Sequence, residues 1–253
     1  MGVEGVVALK KLMIRTWFGS LPEWTSQFAR SVGITAADGN RHPYRDTGWE
    51  FHIVNDEGLV RRRIKEKFGI DIPDIIDIRK PGDYDPYLGV LFEDDLKGYD
   101  FWGHFNLDCV YGRLSHWLPD EFLANVDIFG NDPGAICGPF TLYRNCELVN
   151  QLFRSVPSHL ANLRSGEFWG WDEQEFSQTV NRKALTGNIR FASAFLQAHD
   201  HMTAAHHCLA TNLHVHGTTP VHFRDDGALI DNVTGQEIMM YHFNQTRKWP
   251  VGE

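Results

Sequence analysis

The chain has 253 residues, with 24 Lys+Arg against 33 Asp+Glu for a formal net charge of −9, and 42% of its residues are hydrophobic. That length and apolar content suit one large domain with a real core and exclude disorder as the dominant state. An acidic chain with no basic run longer than Arg61-Arg62-Arg63 lacks the positive footprint of a nucleic-acid binder, and no stretch approaches the roughly 18 apolar residues of a membrane span. Met1 to Lys11 has neither the basic region nor the apolar core of a secretory signal, so the expected location is the cytoplasm. Cys109, Cys137, Cys146 and Cys208 show no C-x-x-C spacing, which favours free thiols over a disulfide framework.

In chain order, Leu12–Phe18 is apolar enough for a buried first strand ending at Gly19. Pro22 then suits the first turn of a helix with Trp24, Phe28 and Val32 on one face, stopped by Gly33. Thr35 to Gly48 is polar and predicts a loop. Trp49–Val54 is the next strand, followed by Asp56 as the cap of a helix carrying Val60, Ile64 and Phe68 before Gly69. An extended Asp74–Ile78, a Pro81-Gly82 turn and a helix bearing Leu88, Leu91, Phe92 and Leu96 lead to a strand at Tyr99–Phe105. Further on, Ala135–Tyr143 predicts a strand, Asn145 opens a helix through Val156, and Ile238–Tyr241 is a last strand after the Asp225-Asp226-Gly227 turn. Alternating strands and helices predict an α/β domain with a mixed, mostly parallel sheet flanked by helices. No linker interrupts it, so residues 1–253 are expected to form one domain.

In such a sheet the ligand crevice lies at the carboxyl ends of the strands. Thr16 and Trp17, Asp56, Asp83 and Asn106–Asp108 all sit at or near such ends, where the first four suit a nucleobase and ribose. In an extended Asn106-Leu107-Asp108, residues i and i+2 project together, and their oxygens suit a hard cation, Mg²⁺ or Mn²⁺. Trp169-Gly170-Trp171-Asp172-Glu173 offers rings that stack on sugars, with Trp17 and Trp102 as further cleft aromatics, and acids able to take a proton from a hydroxyl. Asp172 with Glu175 also has the D-x-x-E spacing of a helix cap. The histidines at 199, 201, 206, 207, 214 and 216 form a cluster without zinc-enzyme spacing.

Asp83-Tyr84-Asp85-Pro86-Tyr87-Leu88-Gly89 through Gly98-Tyr99-Asp100-Phe101-Trp102-Gly103-His104-Phe105-Asn106-Leu107-Asp108-Cys109-Val110-Tyr111-Gly112 resembles a little-characterised family of bacterial and viral glycosyltransferase-like proteins. That family is similar to the GT-A nucleotide-sugar transferases. Trp17-Phe18-Gly19-Ser20-Leu21-Pro22-Glu23-Trp24 and Gly138-Pro139-Phe140-Thr141-Leu142-Tyr143-Arg144-Asn145 share the likeness. The chain departs from the pattern at Asn106, where the family carries the first Asp of a D-x-D, and at Asp85, where a lysine is expected. Tyr241-His242-Phe243 through Lys248-Trp249-Pro250 resembles the C-terminal segment of family 8 glycosyltransferases, and the Trp-Gly-Trp acid cluster is similar to that of β-1,4-galactosyltransferases.

The resemblance implies a GT-A-like (Rossmann-like) fold, with a nucleotide-binding part at about 10–112 and an acceptor part at about 113–253. It implies transfer of a sugar from a UDP-sugar or GDP-sugar to a carbohydrate or glycan acceptor, assisted by Mn²⁺ or Mg²⁺. Asn106, Asp108 and His242 would hold the metal, and Lys248, with Arg247 as substitute, would face the diphosphate. Glu173 or Asp172 would be the base of an inverting reaction. Two alternatives stay open: a metal-dependent hydrolase or zinc protein built on the His199–His216 cluster, and a non-catalytic sugar- or nucleotide-binding relative.

Overall fold

The computed structural model describes residues 8–33, 42–43, 48–131, 135–136, 138–193, 221–232 and 235–242. Its strands are β1 (Lys11–Thr16), β2 (His42–Pro43), β3 (Trp49–Val54), β4 (Phe101–Phe105), β5 (Cys109–Tyr111) and β6 (Ile128–Gly130), then β7 (Phe140–Arg144) and β8 (Phe191–Ser193). The last four are β9 (Val221–Phe223), β10 (Leu229–Asp231), β11 (Glu237–Ile238) and β12 (Met240–His242).

The central sheet has the order β2-β3-β1-β4-β7-β6-β8. β1 is parallel to both β3 and β4, β6 is parallel to β8, and β7 is antiparallel to β4 and β6. β2 closes one edge, antiparallel to β3. Five strands therefore point one way, with β2 and β7 reversed, which is the mixed, mostly parallel sheet that the alternation of elements predicts.

Strand alternation sends neighbouring side chains to opposite faces. Leu12, Ile14, Trp102 and Tyr143 join one core, whereas Met13, Phe101, Phe105 and Leu142 join the other. Helix α1 (Thr25–Val32) lays Phe28 and Val32 on the second core, and α2 (Glu57–Phe68) lays Val60 and Ile64 on the first. The sheet is thus flanked by helices on both faces. Gly103 in β4 leaves room for the strands on either side of it in the sheet, β1 and β7, because a Cβ there would fall 2.4 Å from the Thr141 carbonyl oxygen and 2.8 Å from Met13 Sδ.

Several elements differ from expectation. Pro81-Gly82 is not a turn but part of a buried 3₁₀ segment, Lys80–Tyr87, that runs into the single turn α3 (Leu88–Leu91). Pro86 lies inside it and has no N–H to offer an α-helical ladder. The helix expected from Asn145 is broken into Glu147–Asn150 and Leu152–Ser155. The last strand divides at Met239, so that β11 pairs with β10 while β12 pairs with β5 in a separate two-stranded ribbon. Among the described residues no helix is long and apolar enough to cross a membrane, and Cys109 and Cys146 are in no disulfide.

Candidate functional site

β1 and β4 end side by side, and the chain leaving β4 turns through Asn106-Leu107-Asp108 into β5. The β5–β12 ribbon sets Cys109 opposite His242. This brings His242 Nε2 to 3.3 Å from Asp108 Oδ1, a close polar approach that lacks the alignment of a good hydrogen bond. One ligating atom each from Asp108, Cys109 and His242 lies within 4.8 Å of the others. Burial pushes the Asp108 carboxyl up, but His242 and then Arg15 act more strongly together, so its pKa lies below the usual value. An anionic oxygen beside an imidazole and a thiol is a donor set that fits a divalent cation.

Asn106 faces a different neighbour. A Cβ on Gly138 would lie 3.6 Å from Asn106 Nδ2 and 3.4 Å from Glu173 Oε1, so both side chains approach the bare face of this glycine. The Gly138 N–H donates to Glu173 Oε1 at 3.0 Å. Glu173 is exposed and sits in a π-helical turn, Asp172–Phe176, that continues as the helix Ser177–Leu185. Such turns are rare and recur at functional sites.

Asp172 takes the opposite direction. It is 3% exposed and converges with buried Asp85 and His104, one ligating atom from each lying within 4.8 Å of the others. Arg15 Nη1 donates to Asp85 Oδ2 at 3.1 Å. Burial is the main cause that pushes the Asp85 carboxyl up to about 7, against the pull of Arg15 and with help from Asp83 and Glu173. The Asp172 carboxyl is pushed well above its usual range by burial, then by Asp85, Glu173 and Asp83. Both therefore hold their protons far more readily than an ordinary aspartate. Asp172 does not stand at the cap position that its D-x-x-E spacing suggests: Trp171 precedes the turn and Asp172 is its first residue, and Glu175 accepts from Ser158 Oγ.

Asp83, expected at the ribose, is a sealed structural hub. Oδ2 accepts from Lys80 Nζ at 3.1 Å, Asn162 Nδ2 at 3.2 Å and the Trp169 N–H at 2.8 Å, and Oδ1 accepts from the Trp171 N–H at 2.8 Å. With both members of the Lys80–Asp83 pair fully buried, no face of Asp83 is left for a nucleotide. Burial also lowers the Lys80 pKa against the pull of Asp83.

Thr16 likewise departs from expectation, being fully buried with its hydroxyl donating to the Pro81 carbonyl. Trp17 is half-buried and its indole N–H donates to the Ser20 carbonyl. Asp56 is exposed at a strand end, yet one oxygen accepts the Leu59 N–H at 2.8 Å as the cap of α2. Trp102 and Trp171 are core residues rather than cleft aromatics, stacked on Tyr143 and Tyr87 at 4.2 and 5.2 Å, while Trp169 is half-buried.

Lys248, Arg247 and the histidines from His199 to His216 lie outside the described residues. Arg15, His104, Cys109 and Gly138 were not singled out by sequence reasoning, although His104, Cys109 and Gly138 stand within the segments that carry the resemblance. Residues 52–250 match DUF6625, a family of unknown function. No curated protein matches the chain.

Proposed function

We propose that this chain, which belongs to the DUF6625 family, is a GT-A-like glycosyltransferase that moves a sugar from a UDP-sugar or GDP-sugar to a carbohydrate acceptor. The observation that carries the reading is the convergence of Asp108 and His242 at 3.3 Å beside the ends of β1 and β4, with exposed Glu173 and half-buried Asn106 both beside Gly138. Asp108 and His242 would hold a divalent cation, Mn²⁺ or Mg²⁺ by resemblance, with Asn106 assisting. That cation would offset the negative charge that builds on the leaving diphosphate. Lys248 is assigned to the same diphosphate, and Trp17 and Asp56 to the nucleoside.

Glu173 is the base. It is exposed, and the Gly138 N–H fixes Oε1, leaving Oε2 for the acceptor hydroxyl. Its carboxylate takes the hydroxyl proton as the acceptor oxygen bonds to the sugar's anomeric carbon and the bond from that carbon to the diphosphate oxygen breaks, with inversion. Asp172, buried and with its carboxyl pushed well above its usual range by that burial, is not assigned this role.

A thermal-shift screen of UDP, GDP and their sugars with Mn²⁺ and, separately, with Zn²⁺ tests the reading. Ligand at 100-fold over its dissociation constant adds about 2.7 kcal/mol, a rise in Tm of roughly 5–10 °C for a chain of this size. No stabilisation by any nucleotide overturns it. Binding without turnover, with turnover restored by Asn106→Asp, selects the non-catalytic relative instead.

A further inference from the structure

We propose that Cys109 is a third protein ligand of the cation at Asp108 and His242, so that the centre selects zinc-class cations, Zn²⁺ or Co²⁺, over Mg²⁺ and Mn²⁺. The inference rests only on the metal-binding part of the preceding reading and changes its cofactor class. An oxygen, a sulfur and a nitrogen from Asp108, Cys109 and His242 gather within 4.8 Å. The geometry follows from the ribbon: Cys109 and His242 are direct cross-strand partners, which places their side chains on one face, and Asp108 closes the group from the turn just before β5.

Three features point to an ion in this group. Two ligands each about 2.0–2.1 Å from a tetrahedral cation lie about 3.3 Å apart, and Asp108 Oδ1 and His242 Nε2 already stand at 3.3 Å. His242 is only 7% exposed, and its Nε2 has no well-formed hydrogen bond among the described residues, a state that buried ring nitrogens seldom keep. The Asp108 side chain keeps 22% of its surface exposed, which leaves the fourth position open on the crevice side, as in catalytic rather than structural zinc sites.

The donor set also chooses the metal. Mg²⁺ demands oxygen ligands and sheds water reluctantly, whereas thiolate and imidazole select Zn²⁺ and its neighbours. One thiolate, one carboxylate and one neutral imidazole balance a dication, so the occupied centre carries no net charge into the protein. The Tyr111 hydroxyl lies beside Cys109 and donates its own proton to the Pro139 carbonyl at 2.7 Å. The proton that leaves on binding is therefore that of the Cys109 thiol, released to solvent.

Titrating Co²⁺ into the metal-free full-length chain and recording its near-ultraviolet absorbance tests this. The expected result is one Co²⁺ per chain with a thiolate-to-cobalt charge-transfer band that Zn²⁺ displaces. Cys109→Ser removes the band, and Asp108→Asn keeps it but weakens Co²⁺ at least tenfold. Absence of Co²⁺ binding, binding without the band, or a band that survives in Cys109→Ser overturns the proposal. Where Cys109→Ser does not fold, His242→Gln joins Asp108→Asn, and a band whose affinity neither variant changes overturns it. Nucleotide stabilisation by Mn²⁺ without a thiolate band with Co²⁺ sinks this inference and spares the transferase reading. The band without nucleotide stabilisation does the reverse.

Discussion

Asp83, Asp85 and Asp172 lie buried, whereas Asp108 is partly exposed and Glu173 exposed, and the two sets meet burial by different means. Asp83 is held by four donors, one of them the Lys80 ammonium. Asp85, with Arg15 as its cation, is pushed up to about 7 chiefly by desolvation. Asp108 is also penalised by burial, yet His242 and Arg15 reverse the sign and its pKa falls. Residue type is the same in each case, so the cations and donors around each carboxyl decide whether it carries charge. The inner set suits holding structure or protons, and the outer set suits meeting cations and substrate hydroxyls.

The strongest way to break this division is Asp83→Ala. It strips four hydrogen bonds and leaves Lys80 buried without its counter-ion, a loss of about 3–5 kcal/mol, or on the order of 10 °C in Tm. A urea or thermal melt within 1 kcal/mol of the parent chain would show that Asp83 is no hub. On the outer side, Glu173→Gln is expected to lower kcat by roughly 10²–10⁴ with the melt unchanged. If Asp172→Asn abolishes turnover to the same degree and Glu173→Gln does not, the base has been placed in the wrong set.

Much of the fold was legible because its signals are local. β3 spans the expected Trp49–Val54, and α2 follows with the expected Asp56 cap and a left-handed Gly69 at φ +67°. The β5–β12 ribbon was not legible, since two three-residue strands far apart in sequence carry too little periodicity to announce their pairing. Asp108 and His242 could therefore be joined only through a resemblance, and Cys109, ordinary as a core residue, gave no signal of its own. Asp172 misled for a different reason. Its D-x-x-E spacing describes an α-helical start, but the Phe176 N–H reaches back five residues to the Trp171 carbonyl at 3.1 Å, and the wider turn carries Asp172 inward and Glu173 outward.

Opposite signs of pH dependence sharpen the comparison. Asp85 titrates near 3.9 when unfolded and near 7 when folded, so between these values the native state binds more protons than the unfolded one. Stability contributed by Asp85 is then complete at acid pH and declines as pH rises from about 4 to about 7. Asp172 is shifted in the same direction. Asp108, with a lowered folded value, adds stability at neutral pH that is lost only as the solution becomes acid. Urea midpoints are expected to fall from pH 5 to pH 7.5, and less steeply in Asp85→Asn. An unchanged slope in that variant would place Asp85 outside the proton-holding set.

The smallest expected effect decides whether Asp56 belongs to either set. Its side chain caps α2 through the Leu59 N–H, and loss of such a cap costs about 1 kcal/mol. Asp56→Ala should therefore lower the melt slightly whatever else the residue does. Asp56→Asn keeps an acceptor for Leu59 and removes only the charge, so its melt should match the parent. A ribose contact made by the second carboxylate oxygen would still be weakened in that variant and would raise KM for the nucleotide sugar with kcat unaltered. If KM is the same in Asp56→Asn as in the parent chain, Asp56 only caps α2, and the nucleoside must be held without it.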